Sequence, residues 1–263
     1  MSTVYANGIN IAYESVGEGP PLLFITGLGY GGWFWHKQAP ALSRHFRVIT
    51  FDNRGSGGTD KPDGPYATPM LAQDAAGLLD ALGITGARVV GHSLGGFIAQ
   101  ELVLARPDLV SKLVLASTTF GGPNAVPITQ EALAVMLDRS GDPVDLVRRG
   151  VAIAAAPGFS ETHPEVVDEL VVYRLSGPVP AAQYHAQMMA GATHNAEERI
   201  GAIACPTLIL FGEHDNVAPP ANADLLAAKI PGSRRVILPN TGHIFPLEDP
   251  DATNTVLREF FAE

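Results

Sequence analysis

The 263-residue chain has a single cysteine, Cys205. That excludes an intramolecular disulfide and removes any need for an oxidising compartment. Its neighbours Ala204 and Pro206 suggest a buried, inert thiol rather than a reactive one. Positive charge is also short: 17 Lys and Arg stand against 27 Asp and Glu, a formal net charge of −10. Phosphate backbones and anionic lipids require clustered cations, so nucleic acid and membrane surfaces are excluded as general partners. No stretch approaches the roughly 20 apolar residues of a membrane helix. Met1 to Ile11 alternates polar and apolar residues, without the basic and then apolar regions of a secretory leader, and a cytoplasmic location is expected. Internal repeats and low-complexity segments are lacking as well. What remains, 46% hydrophobic and 17% charged residues, suits a globular chain: one large domain, or a core carrying an insertion.

The order of elements points to an α/β chain. Two alternating strands open it near 4–6 and 9–14, joined at Asn7-Gly8, a strong hairpin signal. Leu22–Ile25, Arg47–Phe51, the run ending at Val89-Val90 and Lys112–Ser117 have the apolar pattern of strands buried on both faces. Helices are expected over His36–Arg44, Thr68–Leu82 and Phe97–Ala105. Thr68 is the expected cap of the second and Gly83 its stop. Such alternation gives a parallel sheet with helices on both faces. From Thr119 to Ala204 the pattern breaks, and Ile128–Arg139, Pro143–Ala156, Pro164–Leu175 and Pro180–Ala190 read as four helices. Strands resume at Thr207–Phe211 and Arg235–Leu238, with helices near Ala221–Lys229 and Asp251–Ala262. The expected organisation is a core of residues 1–118 and 206–263, with a helical lid of residues 119–205 inserted into it.

Gly91-His92-Ser93-Leu94-Gly95 sits where the Val89-Val90 strand meets a helix. A serine in so sharp a turn is strained and stands above the sheet edge. Glycines on either side remove Cβ atoms that would collide as strand and helix pass. With 28 glycines in the chain, G-x-S-x-G alone is a weak signal; an acid and a histidine at later strand ends strengthen it. In open parallel sheets the site lies at the carboxyl ends of the strands. Asp215 lies just past the Leu208–Phe211 strand and is the expected acid, with Glu213 the competitor. Asp52 also ends a strand, but it precedes the serine, and Arg54 beside it suggests a structural ion pair.

His243, in the loop after Ile237-Leu238, is the expected base. It completes the order serine, acid, histidine at three strand ends. His92 is too close to Ser93 in sequence to align with it. A serine hydroxyl is a poor nucleophile at neutral pH; an imidazole takes its proton, and a carboxylate fixes the tautomer. The amides of Leu94 and Leu28 are the expected oxyanion donors, Leu28 because its glycine loop follows a neighbouring strand. Gly27-Leu28-Gly29 also suggests a dinucleotide loop, but no G-x-G-x-x-G stands there and no ribose-binding acid is clear, so NAD is not expected.

Four motifs now stand together: Gly91-His92-Ser93-Leu94-Gly95-Gly96, Phe51-Asp52-Asn53-Arg54-Gly55-Ser56-Gly57, Gly212-Glu213-His214-Asp215 and Gly242-His243-Ile244-Phe245-Pro246-Leu247-Glu248. With them the chain resembles the α/β-hydrolase family over nearly its whole length. Within that family it is most similar to small bacterial carboxylesterases, enol-lactone hydrolases and cofactor-free haloperoxidase-like enzymes. The resemblance implies the α/β-hydrolase fold, an eight-stranded, mostly parallel sheet with an inserted helical cap. It carries the same roles onto Ser93, Asp215, His243, Leu28 and Leu94. In one respect the chain departs from the pattern: Thr26-Gly27 stands where the family often has His-Gly, a histidine that supports the oxyanion loop. Dehalogenase relatives have aspartate at the position of Ser93, which argues against that chemistry.

The expected function is hydrolysis of a small carboxylic ester or lactone through an acyl-enzyme, with no metal or organic cofactor. C–C hydrolysis and perhydrolysis use the same residues, and a non-catalytic ligand-binding protein is the alternative from another class. The oligomeric state is left open between monomer and homodimer. Trp33-Phe34-Trp35 either packs at the sheet top or lines the pocket, and Trp33, Phe120 and Phe159 are the substrate-contact candidates. Between residues 119 and 205, ten carboxylates outnumber five arginines. Charge there is expected on the solvent face, with Arg148 and Arg149 exposed, and apolar residues such as Leu133, Met136, Val147, Ile153, Tyr173, Met188 and Met189 inside. The expected preference is for neutral, short to medium esters, because an anionic substrate needs a cation in the pocket to offset its lost hydration.

Overall fold

The computed structural model describes all 263 residues. Strands β1 (Ser2–Ala6) and β2 (Ile9–Val16) form an antiparallel hairpin. Its two turn residues, Asn7 and Gly8, have φ of 47° and 78°, the turn geometry that matches strand twist. Six further strands run parallel to one another: β3 (Pro21–Ile25), β4 (Arg47–Phe51), β5 (Ala87–His92), β6 (Val110–Ala116), β7 (Thr207–Gly212) and β8 (Arg234–Leu238). The hairpin joins them antiparallel through β4. The single eight-stranded sheet has the order β1-β2-β4-β3-β5-β6-β7-β8.

The unbroken apolar strands are explained by the two cores they feed. Leu23 and Ile25 enter one cluster, and Leu22 and Phe24 enter the other; all four are fully buried. Consecutive strand residues point to opposite faces, so a strand between two helical layers must be apolar at every position. Helices α1 (Gln38–Leu42), α2 (Thr68–Ala81) and α3 (Leu94–Ala105) lie among the first six strands. The cluster of Leu23 holds α2 and α3 residues such as Leu78 and Ile98; that of Leu22 holds Leu42 of α1.

Between β6 and β7 the chain forms α4 (Gln130–Leu137), α5 (Pro143–Ala154), the single turn α6 (Phe159–Thr162), α7 (Pro164–Ser176) and α8 (Ala181–Ala192). The four helices read from periodicity are present, and α6 is an addition too short for periodicity to reveal. Last come α9 (Ala221–Lys229), the turn α10 (Phe245–Glu248) and α11 (Pro250–Ala262). No helix is long and apolar enough to cross a membrane.

The expected cap of α2 is corrected. Ala67, in extended conformation, is the N-cap, and no side chain caps the helix. Thr68 instead places Oγ1 3.0 Å from Nδ1 of buried His194, a tertiary partner that outcompetes the local amide.

Candidate active site

Ser93 lies between the end of β5 and the first residue of α3, with φ 56° and ψ −121°. A non-glycine residue in this region is strained and persists only where its surroundings hold it. The flanking glycines show how. A Cβ on Gly91 would overlap the carbonyl oxygen of Gly95, and one on Gly95 would overlap that of Ile25. The helix therefore starts directly over the sheet edge. Its first amide, that of Leu94, has no helical acceptor.

Two loops at neighbouring strand ends bring the acid and the imidazole together. Asp215, three residues past β7, approaches Nδ1 of His243 with Oδ1 at 3.0 Å and Oδ2 at 2.9 Å. Oδ1 also accepts from the amides of Val217 and Ala218, so the buried carboxylate is held on the far side as well. Glu213 is half-exposed and accepts from the amide of Asn240; it braces the loop and does not meet His243. The Asp52–Arg54 pair is also corrected. Arg54 binds Asp74 through Nε and Nη2 at 2.8 and 2.6 Å, whereas Asp52 accepts from the amides of Gly32 and Gly58.

Two groups around His243 lie beyond what sequence reasoning assigns. His92 is fully buried, and its Nε2 lies 2.8 Å from the carbonyl oxygen of His243. A carbonyl can only accept, so Nε2 carries the proton. Burial, with the adjacent His243, pushes the His92 pKa down to about 3, and the ring is neutral. Glu248 accepts from the amides of Gly242 and Ala156, tying the histidine loop to the end of α5. Burial raises its carboxyl to about 7. The carboxyl end of α5 holds the loop a second time, where the His243 amide donates to Ala154 O at 2.6 Å. Only the residue order Gly242 to Glu248 could have hinted at this arrangement.

The loop after β3 carries Leu28 beside the serine. A Cβ on Gly27 would sit 3.1 Å from Cβ of Ser93. Thr26 reaches across this loop only with a long Oγ1 bond to Tyr30 O, at 3.5 Å; three other side chains hold it. Asn53 donates to Thr26 O at 2.9 Å. Gln187, fully buried on α8, accepts from the Gly29 amide at 3.1 Å and donates to Arg54 O and Ser56 Oγ. Arg174 of α7 donates through Nη1 to Gly29 O. The helices inserted after β6 thus grip the loop.

Three cavities lie under these helices. The first, about 100 Å³, is walled by Leu28, Tyr30, Ser93, Arg174, Tyr184 and His243 among others. A second of about 190 Å³ shares Arg139, Leu146, Val147, Arg174 and Tyr184 with it. The third, about 460 Å³, also reaches Ser93 and adds Leu94, Phe97, Ile128, Leu133 and Met188 to the wall.

None of Trp33, Phe120 and Phe159 lines these cavities. Each is taken up in packing: Trp33 stacks on Tyr173 at 5.0 Å, Phe159 stacks on His163 at 4.6 Å, and Phe120 is buried in the core. Large flat side chains fill wide interior gaps well, and nothing local in the chain marks which of them are so used. Met136, Val147, Ile153, Leu133 and Met188 do face the cavities, but Tyr173 does not, and Met189 is exposed. Arg148 and Arg149 are exposed as expected. Arg139, itself exposed, and Arg174, partly buried, nevertheless reach the walls of the first and second cavities. No three His, Cys, Asp or Glu side chains converge as a metal site. Burial raises the Cys205 thiol pKa.

A fold of this order, with serine, acid and histidine at the ends of three parallel strands, defines a hydrolase class. The chain belongs to the alpha/beta hydrolase fold family, whose model matches residues 20–250. It is 34% identical to the Mycobacterium tuberculosis H37Rv protein named "Putative non-heme bromoperoxidase BpoC", over 97% of this chain and 98% of that one. A thermophilic esterase from Thermogutta terrifontis superposes with a TM-score of 0.85 at 27% identity, covering 100% of this chain and 98% of the other. The enol-lactonase of Burkholderia xenovorans LB400 gives 0.84 at 26% identity, with both chains fully covered.

Proposed function

We propose that the protein is a serine hydrolase of carboxylic esters and lactones, with Ser93 as nucleophile, His243 as base and Asp215 as its orienting acid. The observation that carries this reading is the buried Asp215–His243 pair opening on the same cavity as a strained serine. Neither Ser93 Oγ nor His243 Nε2 is engaged by another protein group. Asp215 fixes the proton of His243 on Nδ1 and leaves Nε2 free to accept one.

Ser93 Oγ attacks the carbonyl carbon as Nε2 takes its proton. The amides of Leu28 and Leu94 hold the negative oxygen of the tetrahedral intermediate. Its collapse breaks the bond to the alkoxy oxygen, which leaves with the proton from Nε2. Water then attacks the acyl-serine, again giving its proton to Nε2, and the acid departs as Ser93 regains its hydrogen. Residues 119–205 serve as the cap that shapes the substrate cavity. The solved relatives described as an esterase and an enol-lactonase support the same acyl-transfer class.

Hydrolysis of p-nitrophenyl butyrate tests the reading. Wild type should turn it over, and Ser93→Ala should lose about 10⁴-fold or more in kcat with an unchanged melting curve. A Ser93→Ala protein that keeps a tenth of wild-type turnover rules the assignment out.

A further inference from the structure

The five arginines of the helical segment divide into two groups. Arg148 pairs with Asp168, Arg149 with Asp138 and Arg199 with Glu101. Arg139 and Arg174 have no carboxylate partner, in a segment where carboxylates outnumber arginines two to one. These same two line both the first and second cavities, in which no Asp or Glu takes part. Each is held by an aromatic face: Arg174 lies 4.4 Å from the Tyr30 ring centroid, and Arg139 lies 4.3 Å from that of Tyr184. Stacking of this kind orients a guanidinium and leaves its edge N–H groups free. A guanidinium has five such donors. Arg174 commits one to Gly29 O, the residue after Leu28, and Arg139 commits none to the protein.

The third cavity meets the first at Leu28, Ser93, Met136 and Val217, is the largest of the three, and has no charged side chain in its wall. The scissile carbonyl would therefore sit between a cationic limb and an apolar one. We propose that the substrate is an ester or lactone bearing a carboxylate on one side of its carbonyl and a hydrocarbon group on the other. The carboxylate meets Arg174 and Arg139, and the hydrocarbon enters the cavity of Phe97 and Met188. This assignment rests on the hydrolase reading above. The physical reason is the cost of desolvating a carboxylate, which is recovered only where fixed, charge-assisted donors replace its water. Arg174, bonded to the residue after Leu28, and the more exposed Arg139 on the same cavity wall supply those donors.

Matched esters test it. One pair varies the acyl half: mono-p-nitrophenyl glutarate against p-nitrophenyl 5-methylhexanoate. The other varies the alcohol half: 4-carboxyphenyl butyrate against 4-isopropylphenyl butyrate. Each kcat/KM is divided by the rate of alkaline hydrolysis, and the charged-to-neutral ratio is read. In wild type the ratio should favour the carboxylate by about tenfold or more in one pair. Arg174→Gln and Arg139→Gln should each lower that ratio several-fold. Arg174→Lys should retain part of it, and the exposed variant Arg148→Gln should not change it.

A wild-type preference for the neutral ester in both pairs overturns the proposal, as does a ratio that survives both glutamine substitutions. If no ester is hydrolysed at all, the hydrolase reading fails, and binding still decides the charge question. Ser93→Ala protein is then titrated calorimetrically with glutaric acid mono-anilide and with 5-methylhexananilide. Tighter binding of the acid, lost in Arg174→Gln, upholds the cationic limb; equal or weaker binding removes it.

Discussion

His92, the residue before Ser93, donates its Nε2 proton to the backbone oxygen of His243 at 2.8 Å. The turn that presents the serine is thereby fastened to the loop that presents the imidazole, across 151 residues of sequence. The His92 ring also packs against Phe34 at 4.9 Å and His243 at 4.8 Å between centroids. A phenylalanine fills the same space without the donor. His92→Phe should leave the His243 carbonyl unpaired, costing roughly 1–3 kcal/mol of stability. It should lower kcat about tenfold with KM little changed, because about 1 Å of misplacement at a reacting group is enough to slow the chemistry. Steady-state kinetics and urea unfolding check both; an unchanged kcat would reduce His92 to packing.

Asp215→Asn should lower kcat on p-nitrophenyl butyrate by about 10⁴-fold, since an amide beside Nδ1 favours the wrong tautomer. Glu213 meets only the Asn240 amide and, at 3.7 Å, the exposed His214 ring, so Glu213→Gln should stay within about threefold. The reverse order of damage in the two variants would move the acid to Glu213.

Gly95→Val should prevent folding or displace the serine. Its side chain would occupy the space of the Ile25 and Thr26 carbonyl oxygens, and backbone in a central strand cannot yield. Overpacking of this severity costs about 3 kcal/mol or more. A purified variant with wild-type melting temperature and activity would contradict the close approach of α3 to β3.

Much of this is legible in the sequence because it is carried by local chemistry. Unbroken apolar runs mark strands with helices on both faces, and a serine between two obligatory glycines marks the strand-to-helix turn. Asp215 and His243 are legible as residues placed just past strands. The grip on Gly29 is not, since Gln187 and Arg174 lie 158 and 145 residues away and nothing local sets a glutamine in a helix apart. Side-chain destinations among the helices between β6 and β7 are equally hidden. Trp33, Phe120 and Phe159 are as apolar as any pocket residue, and only the packing of neighbours decides that they are consumed in the interior. Arg174 and Arg148 look alike in sequence; which one meets an acid depends on the crossing of α5 and α7.

Stability should fall on mild acidification. Burial holds His92 at about 3 and His194 at about 4, both below the ordinary 6.5. The stability they contribute is therefore complete above pH 6.5 and is lost as pH falls toward those values. Glu248 has the opposite sign, because its raised pKa of about 7 makes the folded state bind more protons than the unfolded between 4.5 and 7. Two groups oppose one, so between pH 6.5 and 4.5 the unfolded chain binds about one proton more. That slope is about 1.4 kcal/mol per pH unit, or roughly 2–3 kcal/mol across the interval. Urea unfolding at both pH values measures it, and equal or greater stability at pH 4.5 would show that the buried imidazoles are not neutral.

The most direct test is labelling with a fluorophosphonate followed by peptide mass spectrometry. Phosphonylation needs a serine activated by a base, and binding alone does not produce it. Wild type should carry one label, on Ser93, with ester turnover lost in proportion. His243→Ala should label at least about a hundredfold more slowly, and Ser93→Ala not at all. A label on another residue, or an unlabelled and fully folded wild-type protein, would contradict the assignment of Ser93 and His243 as a catalytic pair.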